Sequence, residues 1–177
     1  MEHLLILNYD SDAERKRFDY ATERWKNKIK IKKPRGALVI LDGDDNEISK
    51  FVEDIFSRIE LEPDENPSDK VKIYKLEEYE PEVGKKTKRL SYESKEDEKT
   101  INRFVDYLMA KLNGSYEYST GTAKIYTVYT KKGQARLEYN ISKKELTRAV
   151  ISIEGYGEVV DFIAKKVDDE IGTFLGG

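Results

Sequence analysis

Apolar positions follow two different rhythms along the chain, and the change comes near the middle. In the first part, His3–Asn8 (HLLILN) and Ala37–Leu41 (ALVIL) are short, almost unbroken apolar runs, the pattern of strands covered on both faces. A helical rhythm follows each run. Ser11 and Glu14 have capping-box spacing, and Phe18, Ala21 and Trp25 recur as one stripe of a helix ending near Lys28. After Asp42-Gly43-Asp44-Asp45-Asn46, the residues Ile48, Phe51, Val52, Ile55, Phe56 and Ile59 mark a second amphipathic helix over about 47–59. Past Pro63 and Pro67, residues 70–76 read as a third strand. The expected unit is β-α-β-α-β, with its first two strands parallel because such crossovers are right-handed.

The second part opens with a short strand at 87–92. Ser94 and Asp97 then introduce a helix over about 96–112 that buries Ile101, Phe104, Val105, Leu108, Met109 and Leu112. Asn113-Gly114 ends it, with the glycine expected in the left-handed terminating position. Four strands are expected at 115–119, 122–130, 134–141 and 145–154. They are separated by Thr120-Gly121, Lys131-Lys132-Gly133 and Ser142-Lys143-Lys144. Alternation is clearest in the third, where Ala135, Leu137, Tyr139 and Ile141 share one face and Arg136, Glu138 and Asn140 the other. A final helix follows Gly155-Tyr156-Gly157, with Val159, Val160, Ile163, Val167 and Ile171 as its stripe.

The expected fold class is therefore mixed, α/β then α+β. A small α/β domain spans residues 1–78 and a linker 79–87. An α+β domain spans 88–177, with a four-stranded antiparallel meander and helices on one sheet face. In element order, β-α-β-β-β-β-α, the second domain resembles one repeat of the TATA-binding-protein-like fold, and less closely a truncated helix-grip fold. That resemblance is topological and brings no functional residue with it.

Composition narrows the chemistry. The chain of 177 residues has no cysteine and one histidine, His3. Thiolate metal sites, disulfides, cysteine nucleophiles and histidine-based triads are excluded, leaving carboxylates, lysines, tyrosines or a carboxylate-bound metal. Charged residues reach 38% and Gln134 is the lone glutamine, a composition resembling that of proteins from heat-adapted organisms. The net charge is −3. Residues 1–80 hold 15 Lys+Arg against 20 Asp+Glu, and residues 81–177 hold 17 against 15. Neither half is a bulk-basic module. MEHLLILNYD lacks a basic leader and a small-residue cleavage site, and no apolar run is long enough to span a bilayer. The expectation is a cytoplasmic protein with no membrane partner.

Three groups of residues are candidates for function. The first is acidic. If strands 3–8 and 37–41 were parallel neighbours, Asp10, Asp12, Asp42 and Asp44 would meet at their carboxyl ends, where α/β domains bind ligands. Asp42-Gly43-Asp44 resembles the D-x-D element of Toprim and other magnesium-dependent phosphotransfer folds. The resemblance implies Mg as cofactor and a phosphodiester or phosphoryl-transfer activity. Where Toprim enzymes end their first strand in glutamate, this chain has Asn8 and Asp10. Asp and Asn before helices also serve simply as caps. The second group is the run from Arg24 to Arg35, seven cations in twelve positions, in which Lys28, Lys30, Lys32 and Arg35 would contact nucleic-acid phosphates. A solvated helix end would carry the same cations.

The third group is the sheet face that the helices leave uncovered. Eight of the twelve tyrosines follow residue 80. Lys124, Tyr126, Arg136 and Arg148 are expected on that face, a mixture suited to a protein interface and also to an ordinary strand. The leading expectation is a non-enzymatic protein that binds a protein partner or a second copy of itself through this face. The metal-dependent and nucleic-acid readings stand as alternatives.

Overall fold

A computed structural model describes residues 3–176 of the chain. It is a mixed α+β structure that divides into two compact units, Met1–Lys75 and Leu76–Gly177. Among the described residues, no helix is long and apolar enough to cross a membrane.

The first unit holds α1 (Asp12–Trp25), α2 (Asp45–Arg58) and the short α3 (Pro67–Lys70). The cap of α1 follows the predicted spacing: the Glu14 N–H donates to Ser11 Oγ at 3.2 Å. The return bond goes one residue further out, from the Asp10 N–H to Glu14 Oε2 at 3.0 Å. The three expected strands are corrected. Residues 3–8 and 37–41 form neither helix nor ladder, and the stretch from 70 to 76 begins as the end of α3 and continues without a ladder. Among the described residues no parallel pair exists here. An apolar run supplies strand propensity, but a strand needs a paired backbone and a covering layer. Neither α1 nor α2 buries a residue fully, so neither provides that layer, and Leu5 and Ile40 remain 70% and 72% exposed.

The second unit is built around one sheet. Its strands are β1 (Lys85–Ser94), β2 (Gly114–Thr120), β3 (Ala123–Thr130), β4 (Gly133–Lys143) and β5 (Thr147–Tyr156). They run in the spatial order β1-β5-β4-β3-β2, every neighbour antiparallel. Helix α4 (Glu98–Lys111) carries the chain from the β1 edge to the β2 edge, and α5 (Val159–Gly176) closes the unit. Both helices pack on the same face of the sheet. Leu137, Ile151, Ile153 and Val128 from the strands meet Val105, Leu108, Met109, Ile163 and Val167 from the helices in one continuous core.

Two local expectations shift. Asp97, not Ser94, caps α4: its carboxylate accepts from the Thr100 N–H and from Thr100 Oγ1, both at 2.9 Å. After α4 the left-handed residue is Asn113, at φ 55°, and Gly114 already belongs to β2. Gly114 is needed for space, since a Cβ there would lie 3.0 Å from the Met109 carbonyl oxygen.

Candidate functional site

With both helices beneath the sheet, the register decides what stands on top. On β4, Ala135, Leu137, Tyr139 and Ile141 point to the helices, so Arg136, Glu138, Asn140 and Ser142 point away. Cross-strand pairing then places Arg148, Val150, Ser152 and Glu154 of β5 on the open face. Lys85, Thr87, Arg89, Ser91 and Glu93 of β1 follow. Arg89, Glu138, Asn140, Ser142, Arg148, Val150 and Ser152 line a concavity of about 520 Å³ together with Thr122.

The polar groups of this face are partly pre-oriented by one another. Arg148 Nε donates to Ser91 Oγ at 2.9 Å, which fixes its guanidinium and leaves its terminal amino groups directed elsewhere. Asn140 Nδ2 donates to Thr122 Oγ1 at 2.7 Å. Arg136 donates to the Tyr118 hydroxyl at 2.8 Å and lies over that ring, 5.8 Å from its centroid. Lys85 pairs with Glu154 at 2.7 Å. Arg89 and Glu138 make no ion pair among the described residues. Ile125, between Tyr118 and Glu138 in the register, and Ala123, opposite Asn140, are buried on this side, which also carries Val150.

Of the four residues expected on this face, Arg136 and Arg148 are there. Lys124 and Tyr126 are not: they pair with Tyr139 and Leu137 and so belong to the helix face. The reason is the β3–β4 turn. A separator of three residues, Lys131-Lys132-Gly133, would set Val128 opposite Arg136. The chain turns on Lys131 and Lys132 alone, with Thr130 opposite Gly133, and Val128 meets Ala135. A slip of one residue moves every side chain of a strand to the other side. Thr130 secures the tight turn, its Oγ1 donating to the Gly133 carbonyl and accepting from the Lys132 N–H, both at 3.0 Å.

Lys124 and Tyr126 instead join a polar cluster on the helix side. Tyr139 donates to Asp106 Oδ1 at 2.5 Å, and Tyr126 donates to the same oxygen at 3.3 Å. Lys124 Nζ reaches both oxygens of Asp106, at 3.1 and 3.2 Å. Tyr139 also lies 3.1 Å from Asn102 Oδ1. Burial pushes the Asp106 carboxyl up, but the Tyr139 and Lys124 hydrogen bonds, the Lys124 charge and the Tyr126 bond together hold it below its ordinary value. The Tyr139 phenol is raised, first by burial and then by Asp106. Asp106 escaped the sequence reading because it borders the apolar stripe of α4, and nothing local to the helix names its partners on β3 and β4.

The acidic group does not assemble. Among the described residues no three carboxylate or imidazole groups come together as a metal ion would require. Asp44 caps α2, its Oδ1 accepting from the Asn46 and Glu47 N–H groups at 3.0 Å each. Asp12 pairs with Arg15 at 3.6 Å. Asp10 lies just outside the α1 cap, and Asp42 makes no hydrogen bond or ion pair among the described residues. Their convergence needed adjacent parallel strands, which this unit lacks. Asp44→Ala should therefore lower the stability of α2 by about 1 kcal/mol while Asp44→Asn changes it little. Helicity followed by circular dichroism during thermal melting checks this. A metal-ligand role would instead make Asn as damaging as Ala, and magnesium-dependent.

The basic run is partly tied to α1. Lys26 pairs with Glu23, Lys33 with Asp19 at 2.5 Å, and Lys28 sits 4.6 Å from the centroid of Trp25. Lys30 and Arg35 are exposed and make no contact of this kind among the described residues, whereas Lys32 is partnered.

No protein-family model matches the chain, and a search of curated proteins finds no match.

Proposed function

We propose that the chain is a non-enzymatic binding protein that holds a protein partner on the open sheet face of its second unit. The observation that carries this reading is the one-sided packing of α4 and α5, which leaves a five-stranded face with a concavity of about 520 Å³ uncovered. Its charges are of both signs: Lys85, Arg89, Arg136 and Arg148 stand among Glu93, Glu138 and Glu154. A mixed-sign surface interspersed with Ser and Asn suits the polar groups of a protein, and Glu138 in its middle opposes a polyanion. We read the order of the second unit as that of one TATA-binding-protein-like repeat, a likeness of topology that adds no functional residue.

Arg89→Glu/Arg148→Glu tests the proposal. Both side chains are exposed, so the fold should be retained, as circular dichroism would verify. Wild-type and variant chains are immobilised in parallel and exposed to extract from the source organism. A protein retained by the wild type should be weakened at least tenfold by the variant, by interferometry on the purified pair. Identical retention by both chains would refute the role of this face. So would tight, salt-sensitive binding of the wild type to single- or double-stranded oligonucleotides.

A further inference from the structure

The two edges of the sheet are protected differently. Edge strand β2 is interrupted by a bulge between Tyr116 and Tyr118, a device that spoils pairing with another strand. Edge strand β1 has no such break. It keeps one continuous register with β5 over ten residues, from Lys85 to Ser94, and among the described residues nothing pairs with its outer side. What guards β1 is charge: Lys85, Lys86, Lys88 and Arg89 fill four of its first five positions. Cations on an edge repel basic strands and lose hydration against neutral ones, but favour an acidic one. Lys86 and Arg89 make no ion pair among the described residues.

The chain itself carries an acidic segment next to this edge, in which the Val83 N–H donates to the Pro81 carbonyl at 2.8 Å, a turn that pairing would open. Glu77, Glu78, Glu80 and Glu82 lie immediately before β1, in an exposed segment outside any ladder. Tyr79 and Val83 in this stretch are 67% and 63% exposed.

We propose that a second copy of this chain completes the β1 edge, by antiparallel pairing of residues 78–90 of the two copies about a two-fold axis at Gly84. An axis perpendicular to the sheet keeps side chains of the same face opposite each other. With Gly84 on the axis, Glu82 stands opposite Lys86 and Glu80 opposite Lys88 on the helix side. Tyr79 stands opposite Arg89, and Val83 opposite Lys85, on the open side. The symmetry repeats every pair. Gly84 carries no side chain to crowd the axis, and no atom lies within 4 Å of where its Cβ would be. Pro81 is tolerated because the added segment keeps a solvent-facing outer side for a residue without an N–H. Folding the segment back onto its own β1 would use Val83-Gly84 as a two-residue hairpin loop. The favoured turns of that length need a positive φ at the first position, which valine resists. The pairing therefore runs between copies.

The absence of cysteine gives a clean background for the test, made on the full chain. Residues opposite each other in an antiparallel ladder lie within disulfide reach, about 5 Å between Cα atoms. Glu80→Cys/Lys88→Cys should oxidise to a covalent dimer on a non-reducing gel. Light scattering of the wild type should give a dimer whose population falls as salt is raised. Glu82→Lys should weaken that dimer about tenfold, since the symmetry repeats the pair, and adding Lys86→Glu should restore it; Lys88 is left in place because it pairs with Asp161 at 3.2 Å. The altered side chains are solvent-facing, and circular dichroism confirms that each variant is folded. A wild type that stays monomeric throughout the micromolar range would overturn the proposal. So would a disulfide found only within one chain, or a dimer indifferent to the charge reversals.

Discussion

Leu137→Ala is expected to destabilise the second unit by about 3–4 kcal/mol. Leu137 is fully buried at the centre of β4, paired with Tyr126 on one side and Ile153 on the other. It belongs to the single core in which strands and helices interlock, so the surroundings cannot collapse into the space without moving a helix off the sheet. Small domains have only about 5–15 kcal/mol in total, so the loss is a large share. Ile40→Ala in the first unit makes the opposite case: Ile40 is 72% exposed, and removal of its side chain should change stability by less than about 0.5 kcal/mol. Urea titrations of both variants, followed by far-ultraviolet circular dichroism, separate the two. Comparable shifts would mean that the apolar runs of the first unit are buried in solution.

That contrast explains what could be read in the chain. In the second unit each element has its own local signal: the stripe of α4 from Ile101 to Leu112, the alternation of Ala135, Leu137 and Tyr139, and turns between successive strands. Neighbours in sequence are neighbours in the sheet from β2 to β5, so local pattern nearly suffices. In the first unit the same vocabulary failed at the strands. ALVIL has strand composition, but a ladder is a property of two segments, and no composition states that the second is in place. The caps were legible because they are local. The open face was legible as a surface yet misassigned at Lys124 and Tyr126, because its parity rests on one residue of turn length. The Asp106 cluster was not legible at all: it joins α4 to two strands through side chains that no spacing rule links.

The same cluster should make the second unit sensitive at both ends of the pH scale. Asp106 has a depressed pKa in the folded chain, so its contribution is present above the unfolded carboxylate value of about 3.9 and is lost as pH falls through the folded one. Tyr139 and Tyr126 have raised pKa values, burial being the first cause in each, and Tyr92 is raised likewise by burial and by its bond to Asp168 at 2.8 Å. For these phenols the sign reverses. Their contribution is complete below the unfolded value of about 10 and drains away as pH rises above it toward the folded values. Tyr139→Phe removes a hydrogen bond to a charged acceptor. Because the Asp106 side chain is 43% exposed, screening trims the expected loss to about 1–2 kcal/mol at neutral pH. Asp106→Ala should cost more, about 2 kcal/mol, since it also strips Lys124 of its carboxylate and takes the charged acceptor from the Tyr139 hydroxyl. Asp106→Ala should flatten the acid limb of a plot of urea midpoint against pH, and both variants should soften the alkaline limb. In the wild type, absorbance of ionised tyrosine should show Tyr139 and Tyr92 titrating only as the unit unfolds. An acid limb unchanged by Asp106→Ala would mean that the cluster contributes nothing to folding.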